Sequence, residues 1–153
     1  MITLDGALRD FMYGKLHRVT VTGADLDYVG SVTIDPLLLK ASGIIPHTQV
    51  DVVNITNGER IQTYVIEGGE GTGVICLNGA AAHHFNVGDL AIIMGYEKVP
   101  ANQLAGRISR AVHVDSKNAI VSVDCYETPA LDAIGDPNAN RAFEKYPTIK
   151  AVK

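Results

Sequence analysis

The chain has 153 residues, enough for one domain that buries its own core, and its 46% hydrophobic and 20% charged residues are typical of a globular protein. A formal net charge of −4 and the lack of any basic cluster in the sequence argue against a nucleic-acid partner. The N-terminus has no apolar segment of signal-peptide length, and no apolar run in the sequence could cross a bilayer. We therefore expect a cytoplasmic protein with no membrane partner.

Most of the chain is predicted to form short β-strands, because runs rich in Val, Ile and Thr alternate with turn residues. Many short strands, few helices and frequent glycine turns indicate a mainly β protein, a small β-barrel with short helices. In chain order, strands are predicted over residues 16–22, 28–34, 49–56, 59–66, 74–77, 90–94, 111–115 and 119–124.

One helix has clear signals at both of its ends. Asp35 is a suitable N-cap, Pro36 suits the first helical position, and Gly43 suits the position just after the last turn. These residues predict a helix over 37–42. A second short helix is predicted over 80–84.

The dipeptide Asn57-Gly58 predicts a tight hairpin turn of the primed type, in which both residues need a positive φ. A different composition begins at Thr128, where prolines and scattered charges replace the hydrophobic pattern. We expect this C-terminal tail to be disordered or loosely docked.

The cysteines and histidines do not predict a metal site. Cys76 and Cys125 lie far apart in apolar surroundings and are interpreted as buried, reduced thiols. His83 and His84 are adjacent, so their side chains diverge, and the sequence has no second Cys/His pair at zinc spacing. We therefore expect no metal cofactor.

The pair Gly30-Ser31 is a candidate for self-cleavage. The Ser31 hydroxyl can attack the Gly30 carbonyl through a five-membered ring and replace the amide by an ester. Loss of the Ser31 α-proton then leaves dehydroalanine, and hydration with loss of ammonia gives a pyruvoyl group at a new N-terminus. Glycine suits this route because it tolerates backbone geometries that other residues avoid. Taken alone, the dipeptide is better explained as an ordinary turn or strand bulge.

Four sequence blocks place this pair in a wider pattern. In chain order they are Gly14-Lys15-Leu16-His17-Arg18-Val19, Tyr28-x-Gly30-Ser31-x-x-Ile34-Asp35, Asn57-Gly58-x-Arg60-x-x-Thr63-Tyr64 and Asn78-Gly79-Ala80-Ala81-Ala82-His83. Together they resemble the bacterial aspartate 1-decarboxylases, pyruvoyl-dependent lyases that make β-alanine for pantothenate synthesis. The resemblance is clearest over residues 14–94.

The resemblance implies a fold, an assembly and a maturation step. It implies a six-stranded double-psi β-barrel, which we place over residues 14–127. The N-terminal extension over 1–13 and the tail over 128–153, expected to be flexible, are departures from the family. It also implies a homotetramer of chains cleaved between Gly30 and Ser31. The precursor is then a zymogen, and its covalent cofactor is the pyruvoyl group derived from Ser31.

The resemblance also assigns roles in catalysis. The pyruvoyl group from Ser31 forms a Schiff base with L-aspartate and takes up the electron pair left by carbon dioxide. Arg60 and Lys15 bind substrate carboxylates, for which a planar guanidinium and an ammonium are suited. Tyr64 is the proton donor after decarboxylation, since a phenol is protonated at neutral pH. Thr63 polarises the Gly30 carbonyl during processing and also binds substrate.

Smaller groups complete the predicted site. Asn78 offers amide donors for a developing negative charge, and the small residues after it let a ligand approach the backbone closely. Tyr28 and His17 are predicted to support processing. The predicted substrate cradle is formed by Asn78, Gly79, Ala80 and Ala81.

Two other interpretations stay open at this point. The first is a pyruvoyl decarboxylase for another amino acid, although two cations favour a dicarboxylate. The second is a non-catalytic β-barrel binding module, in which Gly30-Ser31 is an inert turn.

Overall fold

The computed structural model of the chain describes residues 3–138 and confirms the mainly β prediction. Within this range there is one α-helix, and the remaining helical segments are single 3₁₀ turns or little more. The strands are β1 Leu8–Thr20, β2 Gly23–Asp25, β3 Ser31–Ile34, β4 Gln49–Asn54, β5 Arg60–Glu67, β6 Ile75–Asn78, β7 Leu90–Pro100, β8 Ile108–Val114 and β9 Ile120–Glu127; the helix is α1 Pro36–Ser42, and the 3₁₀ segments are Gly79–His84, Ala101–Gln103 and Leu131–Ala133.

The strands form one sheet in the order β2-β6-β3-β5-β4-β7-β1-β8-β9. β3 runs antiparallel to β6 and parallel to β5, so it has a neighbour on each side. Within residues 3–138 no pairing joins β2 to β9, the two ends of this order. Closure into a six-stranded double-psi barrel therefore stays a prediction.

The helix prediction is confirmed at both ends. The Asp35 carboxylate accepts a hydrogen bond from the Leu37 N–H at 2.9 Å, and Pro36 is the first helical residue. Gly43 follows the helix with φ +80°, and its N–H donates to the Leu39 carbonyl. The same Asp35 carboxylate accepts hydrogen bonds from the backbone N–H groups of Gly71 and Gly73, in the loop between β5 and β6. This N-cap residue therefore also orders that loop.

The hairpin prediction is right about the strands and wrong about the turn. β4 and β5 pair antiparallel, but Gly58 has a positive φ and Asn57 does not, so the turn is not of the primed two-residue type. The connection is longer, and it closes where the Asn54 N–H donates to the Glu59 carbonyl. The reason lies in Asn54, because its side chain accepts from the Thr56 N–H and holds the loop open.

The two longest strands, β1 and β7, are longer than predicted because the residues that pair with them are distant in sequence. β1 was predicted to start at residue 16 and starts at Leu8, where it pairs with Pro100 at the end of β7. This pairing continues on both sides of residue 14, the predicted start of the barrel. Strand β3, by contrast, begins only at Ser31. The prediction that residues 28–30 belong to this strand was therefore wrong. In the tail, Leu131–Ala133 forms a 3₁₀ turn, while residues 139–153 lie outside the described range.

One face of β3, β5 and β6 packs on the hydrophobic core, and most polar residues of these strands lie on the other face. Their core-facing side chains have no exposed surface, and because strand side chains alternate, the residues between them lie on the opposite face. Among residues 3–138, no helix has both the length and the apolar composition to span a membrane. The core-facing residues of these three strands are Val32, Ile34, Val65, Ile75 and Leu77.

Candidate active site around Ser31

The candidate site is built where the first residue of β3 meets the last residue of β6. Ser31 pairs with Asn78 in this antiparallel register, and both residues are buried. The Asn78 Nδ2 donates to Ser31 Oγ at 3.0 Å and to Thr33 Oγ1 at 2.9 Å. The Ser31 hydroxyl donates in turn to the Val29 carbonyl at 3.1 Å. One amide therefore anchors two hydroxyls, one of which belongs to the proposed nucleophile.

The peptide that precedes Ser31 is exposed and rests against Gly79. Gly30 has open space on its Cβ side, whereas a Cβ on Gly79 would lie 2.8 Å from Gly30 Cα and 2.9 Å from the Tyr28 carbonyl oxygen. Gly79 also has φ +64°, a conformation that favours glycine. The start of the 3₁₀ segment thus lies closely against the backbone of Tyr28 and Gly30. Ala80 and Ala81 continue this segment, the first exposed and the second half-buried.

β5 brings Tyr64 to the same face as Ser31. Val32 and Val65 are neighbours in the parallel β3–β5 register, so one step back along both strands places Tyr64 beside Ser31. Thr63 precedes it and lies on the alternate face, level with Gly30 when the register is continued. Both side chains are half-buried. The two predicted roles, proton donation and help in processing, thus fall on opposite faces of β5.

Arg60 lies away from this cluster within one chain. It is the first residue of β5, four positions before Tyr64, which is about 13 Å along a strand. Its guanidinium lies 2.8 Å from the Asp51 carboxylate, an ion pair that raises the pKa of Arg60 further. Arg60 lines an open cavity of about 430 Å³ together with Lys98 and Tyr96. Asp10 and Asp51 also line this cavity, and each pairs with one of its cations, Lys98 with Asp10 and Arg60 with Asp51.

Lys15 and His17 lie on β1, which is separated from β3 by three strands in the sheet order. The His17 ring meets the His113 ring edge-on at a centroid distance of 5.4 Å. Burial lowers the pKa of His17, and the positive charge of Lys15 lowers it further. His113 Nε2 lies 2.9 Å from an Asp124 carboxylate oxygen without hydrogen-bond geometry. Within residues 3–138, no hydrogen bond or ion pair joins Lys15 or His17 to the Ser31 cluster.

The structure therefore brings together only part of the predicted site. Tyr28 is 54% exposed in the loop before Ser31, so it is close in sequence but not packed into the cluster. Among residues 3–138, no group of three or more His, Cys, Asp or Glu side chains is placed to hold a metal ion. Within one chain, Gly30, Ser31, Asn78 and Gly79 lie together and Tyr64 lies on the neighbouring strand, while Lys15, His17 and Arg60 lie elsewhere.

Sequence reasoning missed two members of the cluster. Thr33 shares the Asn78 amide with Ser31, and Cys76 Sγ donates to Asn78 Oδ1 at 3.3 Å. The signal was strand alternation, because residues two apart on β3 and on β6 share a face. Cys76 was interpreted as a buried thiol, and it is instead half-buried with a polar partner. Burial raises the pKa of this thiol, and the Asp25 carboxylate raises it further.

Comparison with known proteins identifies the family. The sequence model of the aspartate decarboxylase family matches residues 7–121. The chain belongs to the aspartate decarboxylase family. This confirms the resemblance found in the sequence and its assignment to the lyases.

Alignments with three aspartate 1-decarboxylases span most of this chain and most of each relative. The aspartate 1-decarboxylase of Corynebacterium efficiens is 54% identical over 116 residues, which cover 76% of this chain and 85% of the relative. That of Neisseria meningitidis is 49% identical over 121 residues, covering 79% and 95%. Aspartate 1-decarboxylase 2 of Gloeobacter violaceus is 51% identical over 116 residues, covering 76% and 93%.

Proposed function

We propose that this protein is a self-processing, pyruvoyl-dependent decarboxylase that converts L-aspartate to β-alanine and carbon dioxide, and so supplies pantothenate and coenzyme A synthesis. The observation that carries the proposal is the buried Ser31 hydroxyl, held by Asn78 directly after the exposed Gly30. Membership of the aspartate decarboxylase family supports the substrate and the reaction.

The proposed maturation uses only this chain and one water molecule. Ser31 Oγ attacks the Gly30 carbonyl carbon, the C–N bond breaks, and the amine of Ser31 takes a proton, which leaves an ester. Removal of the Ser31 α-proton expels the Gly30 carboxylate and leaves dehydroalanine. Its enamine form becomes an imine, and addition of water with loss of ammonia leaves a ketone. The products are chains 1–30 and 31–153, the second blocked at its N-terminus.

The contacts around Ser31 suit this first step. The hydrogen bond from Asn78 stabilises negative charge on the attacking oxygen, and the bond to the Val29 carbonyl sets the direction of the hydroxyl proton. The backbone of Gly79 holds the Tyr28–Gly30 segment in place, which reduces the freedom of the scissile peptide. Thr63 is proposed to polarise the Gly30 carbonyl from the next strand.

The residues present fit a ketone formed at position 31. The position lies in β3 between β5 and β6, the Asn78 amide lies beside it, and Gly30 is exposed, so the carboxylate that leaves with Ser31 Oγ can face solvent. The pyruvoyl group, when present, supplies a carbonyl that bonds to the substrate amine and accepts the electron pair left as carbon dioxide departs.

The remaining roles belong to side chains of the protein. Tyr64 lies beside Ser31 on the same face and is proposed to donate the proton that completes the product. Arg60 and Lys15 are proposed to bind the two carboxylates of L-aspartate. Asn78 and the backbone of the residues after it are proposed to hold the bound substrate.

A homotetramer of cleaved chains is part of the proposal. Within one chain, β-strand register keeps Arg60 about 13 Å from the level of Ser31. Assembly offers a route by which the cations of one copy reach the Ser31 cluster of another. Light scattering on the purified protein measures the assembly, and a monomeric mass would contradict this part.

The variant Ser31→Ala tests the function as a whole. We expect it to fold, to stay uncleaved and to release no carbon dioxide from L-aspartate, because the methyl group cannot attack Gly30. The cleaved wild-type protein should release carbon dioxide from L-aspartate and not from a panel of other amino acids. Wild-type protein that stays intact and inactive would support the binding-module interpretation instead.

A further inference from the structure

We propose that Cys76 is a positioning residue for self-processing, whose thiol sets the orientation of the Asn78 amide so that its NH₂ group faces Ser31. This inference rests on the proposed self-cleavage and assigns a role to a thiol whose sequence context predicts only a buried, reduced cysteine.

The geometry begins on β6, where Cys76 and Asn78 lie two residues apart and therefore on one face. Cys76 Sγ is 3.3 Å from Asn78 Oδ1, while Asn78 Nδ2 reaches Ser31 Oγ at 3.0 Å and Thr33 Oγ1 at 2.9 Å. An asparagine amide has an acceptor end and a donor end with two protons. Here the thiol occupies the acceptor end, and the two hydroxyls occupy the donor end.

The thiol favours one orientation of the amide because it donates to the amide oxygen. In the observed orientation the S–H of Cys76 donates to Asn78 Oδ1 at 3.3 Å. In a flipped amide the NH₂ group would face the thiol, whose sulfur is only a weak acceptor, and Ser31 and Thr33 would lose the donor that they share.

The orientation matters because it decides what Ser31 Oγ meets. In the observed arrangement an N–H donates to that oxygen, which favours the deprotonated hydroxyl that attacks Gly30. In the flipped arrangement an amide oxygen would face Ser31 and compete with the Val29 carbonyl for its hydroxyl proton. The nucleophile would then lose its only donor among the hydrogen bonds described in residues 3–138.

The local packing leaves room for this thiol and keeps it protonated. A Cβ on Gly23 would lie 2.9 Å from Cys76 Sγ, so glycine at that position on β2 makes space for the sulfur. Burial, and then the Asp25 carboxylate, raise the pKa of the Cys76 thiol above its usual value. The donor is therefore present at neutral pH.

The test compares Cys76→Ala with Cys76→Ser, two variants that differ in one hydroxyl donor. The precursors are purified, their secondary structure is checked by circular dichroism, and the rate of cleavage into chains 1–30 and 31–153 is followed by denaturing mass spectrometry. We expect Cys76→Ala to slow cleavage about five- to tenfold, the effect of one hydrogen bond, and Cys76→Ser to stay within about twofold of wild type.

Cys125→Ala is the matched control, because this second free thiol is buried in β9 at the far end of the sheet order. We expect it to leave the cleavage rate unchanged. If Cys76→Ala does not fold, the pair Cys76→Thr and Cys76→Val replaces it, since these also differ chiefly by a hydroxyl donor. The rate for threonine should then exceed the rate for valine about five- to tenfold.

The results separate this inference from the function on which it rests. Wild-type protein that never cleaves would overturn the proposed function, and the positioning role with it. Wild-type protein that cleaves, with Cys76→Ala at the same rate or Cys76→Ser as slow as Cys76→Ala, would overturn only the role of the thiol. A slow alanine variant with rescue by serine supports both.

Discussion

The contact between Gly79 and the scissile segment gives the most demanding prediction. In Gly79→Ala, the new methyl group would lie 2.8 Å from Gly30 Cα, whereas ordinary contacts begin at 3.4 Å. The two backbones must therefore separate by about 0.6 Å, and a misplacement of about 1 Å in a reacting geometry can slow a reaction about 10²-fold. We expect cleavage of this variant to slow by about ten- to a hundredfold.

The same substitution should also destabilise the fold, for two reasons that can be separated. Alanine at φ +64° is strained by about 1–2 kcal/mol, and overpacking against backbone adds about 1–3 kcal/mol. Gly58→Ala is the control, because Gly58 has φ +82° and open space around its Cβ position. It should carry the first cost alone and cleave at the wild-type rate.

Both effects can be measured on purified precursor. Denaturant unfolding gives the free energy, and mass spectrometry of timed samples gives the cleavage rate. If Gly79→Ala cleaves as fast as Gly58→Ala, the close fit between Gly79 and Gly30 has no role in processing, and the reasoning from this contact is refuted.

Four further predictions test individual side chains. Arg60→Ala should cleave normally, while kcat/KM for L-aspartate falls about 10–10²-fold in a carbon dioxide assay, because a charged hydrogen bond to a carboxylate is lost. Tyr64→Phe should also cleave, but its kcat should fall about 10²-fold or more without the proton donor. Asn78→Ala should lower the free energy of unfolding by about 1–3 kcal/mol in denaturant titrations and slow cleavage, because two hydroxyls lose their donor. For His17, whose pKa is lowered in the folded state mainly by burial, stability should fall as the pH drops below about 6.5, since the unfolded chain takes up the proton first; thermal melts of His17→Gln should show a smaller fall.

Each of these four predictions would be contradicted by a specific outcome. An uncleaved Arg60→Ala precursor would place the guanidinium in maturation rather than substrate binding. Unchanged turnover in Tyr64→Phe would remove the phenol from the reaction. Wild-type cleavage in Asn78→Ala would remove its hydrogen bond from processing, and an equal loss of stability with and without His17 would assign the acid sensitivity to other groups.

The helix could be predicted from sequence because its signals are local. Asp35 caps it, and Gly43 ends it in a left-handed conformation, both within one turn of the residues they affect. The first half of β1 could not be predicted in this way, because Leu8 pairs with Pro100 and no pattern near either residue indicates the other. The prediction of a two-residue turn at Asn57-Gly58 was wrong, since the loop is longer and the Thr56 N–H donates to the Asn54 side chain within it.

The candidate site likewise contains residues that the sequence predicts and residues that only strand pairing reveals. Ser31 and Asn78 were chosen through the resemblance to a family, and the register of β3 and β6 explains why they meet. Cys76 and Thr33 needed that register, because their faces follow from alternation only once the strands are paired. Arg60 and Lys15 lie away from Ser31 in the strand order of one chain, and the proposed homotetramer offers the route by which they reach the Ser31 cluster of another copy.

Maturation as proposed converts Ser31 to a pyruvoyl group, and intact mass spectrometry of the purified protein measures that change. We expect two chains, 1–30 and 31–153, with the second lighter than its unmodified sequence by the mass of one ammonia. A single intact chain, or a second chain that retains an unmodified N-terminal serine, would contradict it.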